Sequence, residues 1–107
     1  MKTINPRLLQ FFSTLADETR LRIVLGLSEG PRNVNGIYEG VGKKTMTLSA
    51  ISHALKQMTD LRIVVYEKRG REKVYRLSDE FCWCILRDAF KQFGNNIEIK
   101  CEKCGKR

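Results

Sequence analysis

The apolar pattern of this chain changes period at Ile63. Up to Asp60, apolar residues recur at steps of three and four, the period of helices with one buried face. From Ile63, the runs Ile63-Val64-Val65-Tyr66 and Val74-Tyr75 are β-branched or aromatic. They flank the charged stretch Lys68-Arg69-Gly70-Arg71-Glu72-Lys73. That is the pattern of a β-hairpin with its tip around Gly70. Helical spacing then resumes, so the chain has to fold as helices interrupted once, late, by a hairpin.

Four helices are predicted before the hairpin. Asn5-Pro6 starts the first, with proline where its missing N–H costs nothing, and Leu8, Leu9, Phe12 and Leu15 form its apolar face. Asp17 caps the second, which carries Leu21, Ile23, Val24, Leu25 and Leu27 and ends near Gly30-Pro31. Asn33 caps a short third helix to about Val41, weakened by Gly36 and Gly40. Gly42-Lys43-Lys44-Thr45 reads as a turn. Thr47 caps the fourth helix, which runs to about Asp60.

After the hairpin, Ser78 or Asp79 caps a last helix through about Phe93. Its apolar positions Phe81, Cys82, Ile85, Leu86, Ala89, Phe90 and Phe93 cover more than one narrow stripe. A face that wide is expected to pack on a partner chain as well as on its own domain. The folded unit is read as residues 1–93, with a polar, cysteine-containing tail over 94–107.

The fourth helix bears most directly on function. Leu48, Ile51, Leu55 and Met58 mark its apolar side. The other side carries Ser49, Ala50, Ser52, His53, Lys56 and Gln57, small or polar and without an acid. Such a helix can lie in a DNA major groove, where hydroxyls, imidazole and lysine reach base edges and phosphates. It can equally be an ordinary surface helix. The short third helix and the turn before it complete a helix-turn-helix, and the hairpin after it stands as a wing. The expected fold is mainly α with a two-stranded β-wing, in the order ααααββα. Arg69, Arg71 and Lys73 at the wing tip could meet phosphates or a minor groove, or form only a solvated turn.

Charge agrees with an anionic partner. Twenty Lys and Arg face 12 Asp and Glu, a net charge of +8, which favours nucleic acid or a membrane surface. No stretch approaches the roughly 20 apolar residues of a bilayer span, and the first residues lead into no secretory apolar run. A cytoplasmic chain is therefore expected, with no membrane partner. Its four cysteines are expected as thiols or metal ligands rather than disulfides.

The motifs resemble those of the ArsR/SmtB family of winged-helix repressors over about Phe12 to Phe93. Leu15-Ala16-Asp17-Glu18-Thr19-Arg20-Leu21-Arg22-Ile23 is similar to the family's L-A-D-P-T-R-L-R-I. Ser49 through Lys56 resembles its recognition-helix pattern S-x-V-S-H-x-L-K, and Gly70 through Leu77 its wing, G-R-x-V-x-Y-x-L. The resemblance implies a homodimer joined through the first and last helices. It also implies a roughly twofold-symmetric double-stranded DNA operator, about one helical turn between half-sites, and release when an inducer binds. Two departures stand out. Lys43, Lys44 and Thr45 lengthen the turn and add charge where phosphate contacts are expected. Leu48 stands where the family often has glutamine; it belongs to the core by spacing, or touches a thymine methyl.

Two sensor sites common in the family are absent as written. The place of a C-x-C pair entering the third helix reads Asn33-Val34-Asn35. On the last helix Asp88 is present, but the single histidine of the chain is His53. The candidate ligands are Cys82, Cys84, Cys101 and Cys104. Cys101-Glu102-Lys103-Cys104-Gly105-Lys106 resembles a zinc knuckle, whose turn gives two thiolates to one ion. Cys82 and Cys84, about 200° apart on a regular helix, join it only if the helix starts irregularly; the partner's tail is the other source. Zinc or another thiophilic metal or metalloid ion is one reading. A thiol-redox switch and inert buried thiols are the others. A winged-helix protein-interaction module with a structural zinc knuckle is the alternative from another class. No enzyme is expected: no Ser-His-Asp arrangement or phosphate loop is seen, and the C-x-x-C lacks βαβ context.

Overall fold

The structure, a computed structural model, describes residues 1–41 and 46–95. Its elements are α1 (Pro6–Leu15), α2 (Glu18–Leu27), β1 (Arg32–Asn33), α3 (Val34–Val41), α4 (Leu48–Asp60), β2 (Val64–Arg69), β3 (Glu72–Leu77) and α5 (Cys84–Gln92). The three strands form one antiparallel sheet in the order β1-β3-β2. The expected helix order and wing are present, with one addition: the two residues of β1 extend the hairpin to three strands. Among the described residues, no helix is long and apolar enough to cross a membrane.

Caps read from the sequence set the helix starts. The Asn5 side chain accepts from the Arg7 N–H at 2.8 Å, Asp17 from Arg20 N–H at 3.1 Å, and Thr47 Oγ1 from Ala50 N–H at 3.0 Å. Each satisfies a backbone donor that helix geometry leaves open. Asn33 does double duty. Its Oδ1 accepts from Gly36 N–H at 2.7 Å at the start of α3, while its Nδ2 donates to Glu72 Oε1 at 3.1 Å on the wing. A Cβ on Gly36 would sit 3.1 Å from that oxygen, so glycine leaves room for the cap.

The core is a single cluster: Leu15, Ile23, Val24, Leu27, Ile37 and Val41 from the first helices, then Ile51, Ala54, Leu55 and Met58 from α4. Ile63, Val64, Tyr75, Trp83 and Leu86 close it. Arg20, the first arginine of the family-like motif, ties three helices around this core. Its guanidinium donates to the Thr14 carbonyl at the end of α1 and to the Gln57 side-chain oxygen on α4. Gln57, read from spacing as part of the outward polar face, is therefore turned toward α2.

Two sequence expectations are corrected here. The last helix does not start at Ser78 or Asp79. Ser78 Oγ accepts from Glu80 N–H at 3.0 Å, but this closes a turn, and α5 begins only at Cys84. The reason is tertiary. Trp83 is buried, and its indole N–H donates to the Ser78 carbonyl at 2.6 Å, which folds residues 78–83 under the core. Phe81 stacks on Phe11 of α1 with ring centroids 4.9 Å apart. Leu48 is the second correction. It is 41% exposed, outside the core, and Met46 packs against the core before it.

The chain leaves an apolar surface open. Leu8, Leu9 and Phe12 of α1 are exposed, as are Ile85 of α5 and Phe93 just after it. Leu8, Phe12 and Ile85 border one groove with Phe11, Phe81 and Leu86.

Candidate nucleic-acid interface

Helix α4 buries one stripe and leaves another to solvent. Ile51, Ala54, Leu55 and Met58 face the core. Ser49, Ala50, Ser52, His53 and Lys56 are all exposed, as the sequence predicts. Thr47 is exposed too, with its oxygen accepting the capping bond from Ala50 and its O–H left to donate outward. Lys56 Nζ lies 3.9 Å from Asp60 Oδ2, one turn on. The pair is solvent-exposed and weak, leaving the ammonium available to a phosphate. Lys43 and Lys44 lie outside the described residues.

The wing is sorted by charge, and strand register does the sorting. Arg69 pairs with Glu72 across the ladder, leaving a two-residue turn of Gly70 and Arg71. Gly70 has φ +65°, the left-handed backbone that a tight hairpin requires at its first central position. Alternation then puts Tyr66, Lys68, Lys73 and Tyr75 on one face and Glu67, Arg69, Glu72 and Val74 on the other. The second face is mixed in charge, with Glu67 and Glu72 beside Arg69. Arg69 is 3.2 Å from Glu67, and Glu72 accepts from Asn33. The first face is not. Lys68 stands directly opposite Lys73, and the Lys73 ammonium lies 4.6 Å above the Tyr66 ring. The structure thus separates Arg69 from Lys73, which the sequence reading had grouped. Lys68 and Tyr66 stand on the same face as Lys73. The signal was present: once the turn is fixed at Gly70-Arg71, period-two counting pairs 68 with 73.

Burial pushes the Tyr75 phenol above its ordinary range; the Lys73 charge opposes this shift and Tyr66 adds to it. That hydroxyl is therefore neutral at physiological pH, and the wing face carries the lysine charges without a phenolate beside them.

A model described as "Bacterial regulatory protein, arsR family" matches residues 17–66, from the cap of α2 through the recognition helix into β2. A solved structure titled as a possible transcriptional regulator for arsenical resistance is 30% identical, with a TM-score of 0.60; the match covers 84% of this chain and 85% of that one. The chain belongs to the ArsR family. Another relative is the HTH-type transcriptional regulator NmtR of Mycobacterium tuberculosis, 37% identical over 75 residues, which are 70% of this chain. The match spans 60% of NmtR's own length. A homodimeric winged helix-turn-helix DNA-binding domain from Mycobacterium bovis is 26% identical with a TM-score of 0.62, over 68% of this chain and 65% of that one. In this ArsR-family chain, α3 and α4 are the helix-turn-helix and β2–β3 the wing.

Of the four thiols read as ligands, Cys101 and Cys104 lie outside the described residues. Cys82 and Cys84 are both partly buried at the start of α5. α5 begins at Cys84, so Cys82 lies before the helix, with Trp83 between them in right-handed helical backbone (φ −74°, ψ −1°). Among the described residues no group of three or more His, Cys, Asp and Glu is placed to hold a metal.

Proposed function

We propose that this chain is a dimeric, sequence-specific DNA-binding repressor, released from its operator when late cysteine thiolates bind a soft ion. The observation that carries the DNA half is the exposed, acid-free stripe Ser49–Ser52–His53 on α4, flanked by a wing face of uncompensated lysines. Hydroxyls and imidazole read base edges, while Lys56, Lys68, Arg71 and Lys73 neutralise phosphates and fix register. Lys43 and Lys44 extend the same charge before the helix. Operator DNA as partner places the protein in the cytoplasm.

The open apolar surface of α1 and α5 is the dimer face in this reading. A second copy covering Leu8, Leu9, Phe12, Ile85 and Phe93 removes that surface from water, the ordinary driving force of such association. That the Mycobacterium bovis relative is a homodimer supports dimerisation, whichever face carries it. Twofold pairing then sets two copies of α4 against successive major grooves.

Cys82 and Cys84, with Cys101 and Cys104 of the same or the partner chain, would hold an ion of the zinc, cadmium or arsenite class. Thiolates suit such ions, and one relative is titled for arsenical resistance. Cys82 and Cys84 sit where α5 starts, so a ligand there biases the helix that carries part of the dimer face. A dimer with the wrong spacing between its two copies of α4 loses DNA. The test is elemental analysis of the reduced protein, with operator titrations in added zinc, cadmium and arsenite. Release by one ion at a defined stoichiometry is the expected result. DNA binding that no ion changes defeats the sensor half and leaves the DNA half standing.

A further inference from the structure

Leu48 is the first residue of α4, and 41% of it is exposed although it is a large apolar side chain. At about 100° per residue it lies about 40° around the helix from Ser52 and about 100° from Ser49, so it borders the polar stripe directly. Ile51 is fully buried and Met46 packs against the core, while Leu48 between them stands outside it. Thr47, the residue before it, is held by its cap, which fixes the first turn and the position of Leu48 with it. A leucine has no polar atom with which to read a base. In the major groove, the apolar feature on a base edge is the C5 methyl of a pyrimidine.

We propose that Leu48 reads a pyrimidine C5 methyl in each half-site, thymine in unmodified DNA, and adds an apolar selectivity to the hydrogen bonds of the polar residues beside it. The inference rests on the DNA-binding reading above. Leu48 and the methyl bury each other's surface, and a cytosine or a uracil in the same place leaves the leucine facing water. 5-Methylcytosine presents the same methyl, so it is the second source of this chemistry.

The experiment starts with the full chain and a random duplex library. Each thymine of the enriched sequence is then replaced singly by deoxyuridine, which removes the methyl and keeps every hydrogen-bonding group. One thymine per half-site is expected to lose about fourfold in Kd, the worth of one buried methyl. Leu48→Ala is expected to bind the thymine and uracil duplexes equally; the side chain is outside the core, so the fold survives. Leu48→Gln serves as a second variant and is expected to lose the same discrimination. In a parallel arm, that position carries cytosine or 5-methylcytosine opposite guanine. Tighter binding of the methylated duplex admits both sources, and equal binding assigns the contact to thymine. Enriched duplexes with no uracil-sensitive position, or sensitivity that persists in Leu48→Ala, overturn the inference alone. A chain that enriches no duplex overturns the DNA-binding reading and this inference with it.

Discussion

The indole N–H of Trp83 donates to the Ser78 carbonyl across 2.6 Å, and both residues are buried. This bond holds the connection between β3 and α5 in place. Trp83→Phe keeps most of the apolar area but removes the donor, leaving a buried carbonyl without it, at a cost of about 1–3 kcal/mol. Trp83→Ala opens a cavity as well and costs about 3–5 kcal/mol. Urea unfolding with an unchanged m-value measures both. A phenylalanine variant as stable as the parent would show that the carbonyl finds another donor.

The wing makes a prediction that separates its two faces. Lys68→Ala and Lys73→Ala should each lower the slope of log Kd against log salt by about 0.9, the worth of one phosphate contact. Arg69→Ala should lower it less, since Arg69 lies on the opposite face of the ladder from Lys68 and Lys73, beside Glu67 and across from Glu72. Anisotropy titrations on a random duplex over a salt series distinguish these. An Arg69 effect equal to that of Lys68 would reject the charge-sorted wing.

Leu9 tests the dimer face. Its side chain is exposed in the single chain, so Leu9→Glu should leave the fold intact. Facing a second copy, the carboxylate is buried without a partner. Sedimentation velocity at micromolar concentration should show the monomer mass, and operator affinity should fall at least about tenfold as half-sites are bound singly. A variant that sediments as a dimer places the interface elsewhere.

Tyr75 predicts an alkaline limit. Burial raises its pKa, with Lys73 opposing and Tyr66 reinforcing. A phenol harder to ionise when folded contributes fully below its ordinary value of about 10 and loses that contribution as pH rises past it. Stability should therefore fall above about pH 10, and Tyr75→Phe should fall less steeply over the same range. Identical alkaline slopes would remove Tyr75 as the cause.

The recognition helix and the hairpin were legible in the chain because their signals are local. Thr47 sits at the cap, Ile51, Leu55 and Met58 keep helical spacing, and Gly70 marks the turn. What escaped local reading depends on tertiary packing and strand register. The late start of α5 follows from burial of Trp83, which no capping signal at Ser78 reveals. Leu48 is exposed although its spacing matches buried positions, while Met46 before it packs against the core. The pairing of Lys68 with Lys73 needs the ladder register, which a tip read as one charged cluster does not specify. Arg20 was visible only as a motif letter; its bond to Gln57 shows what the letter does.

Lys68 and Lys73, facing each other across the wing, give ionic strength two opposite jobs. Like charges directly opposed loosen a strand pair, and salt screens that repulsion in the unbound protein. The same salt competes with the same two ammonium groups for phosphate. The wing should therefore be stiffest, when free, under conditions in which it holds DNA least. Dilute buffer leaves it strained and ready, and a phosphate arriving between the lysines relieves the repulsion as it binds.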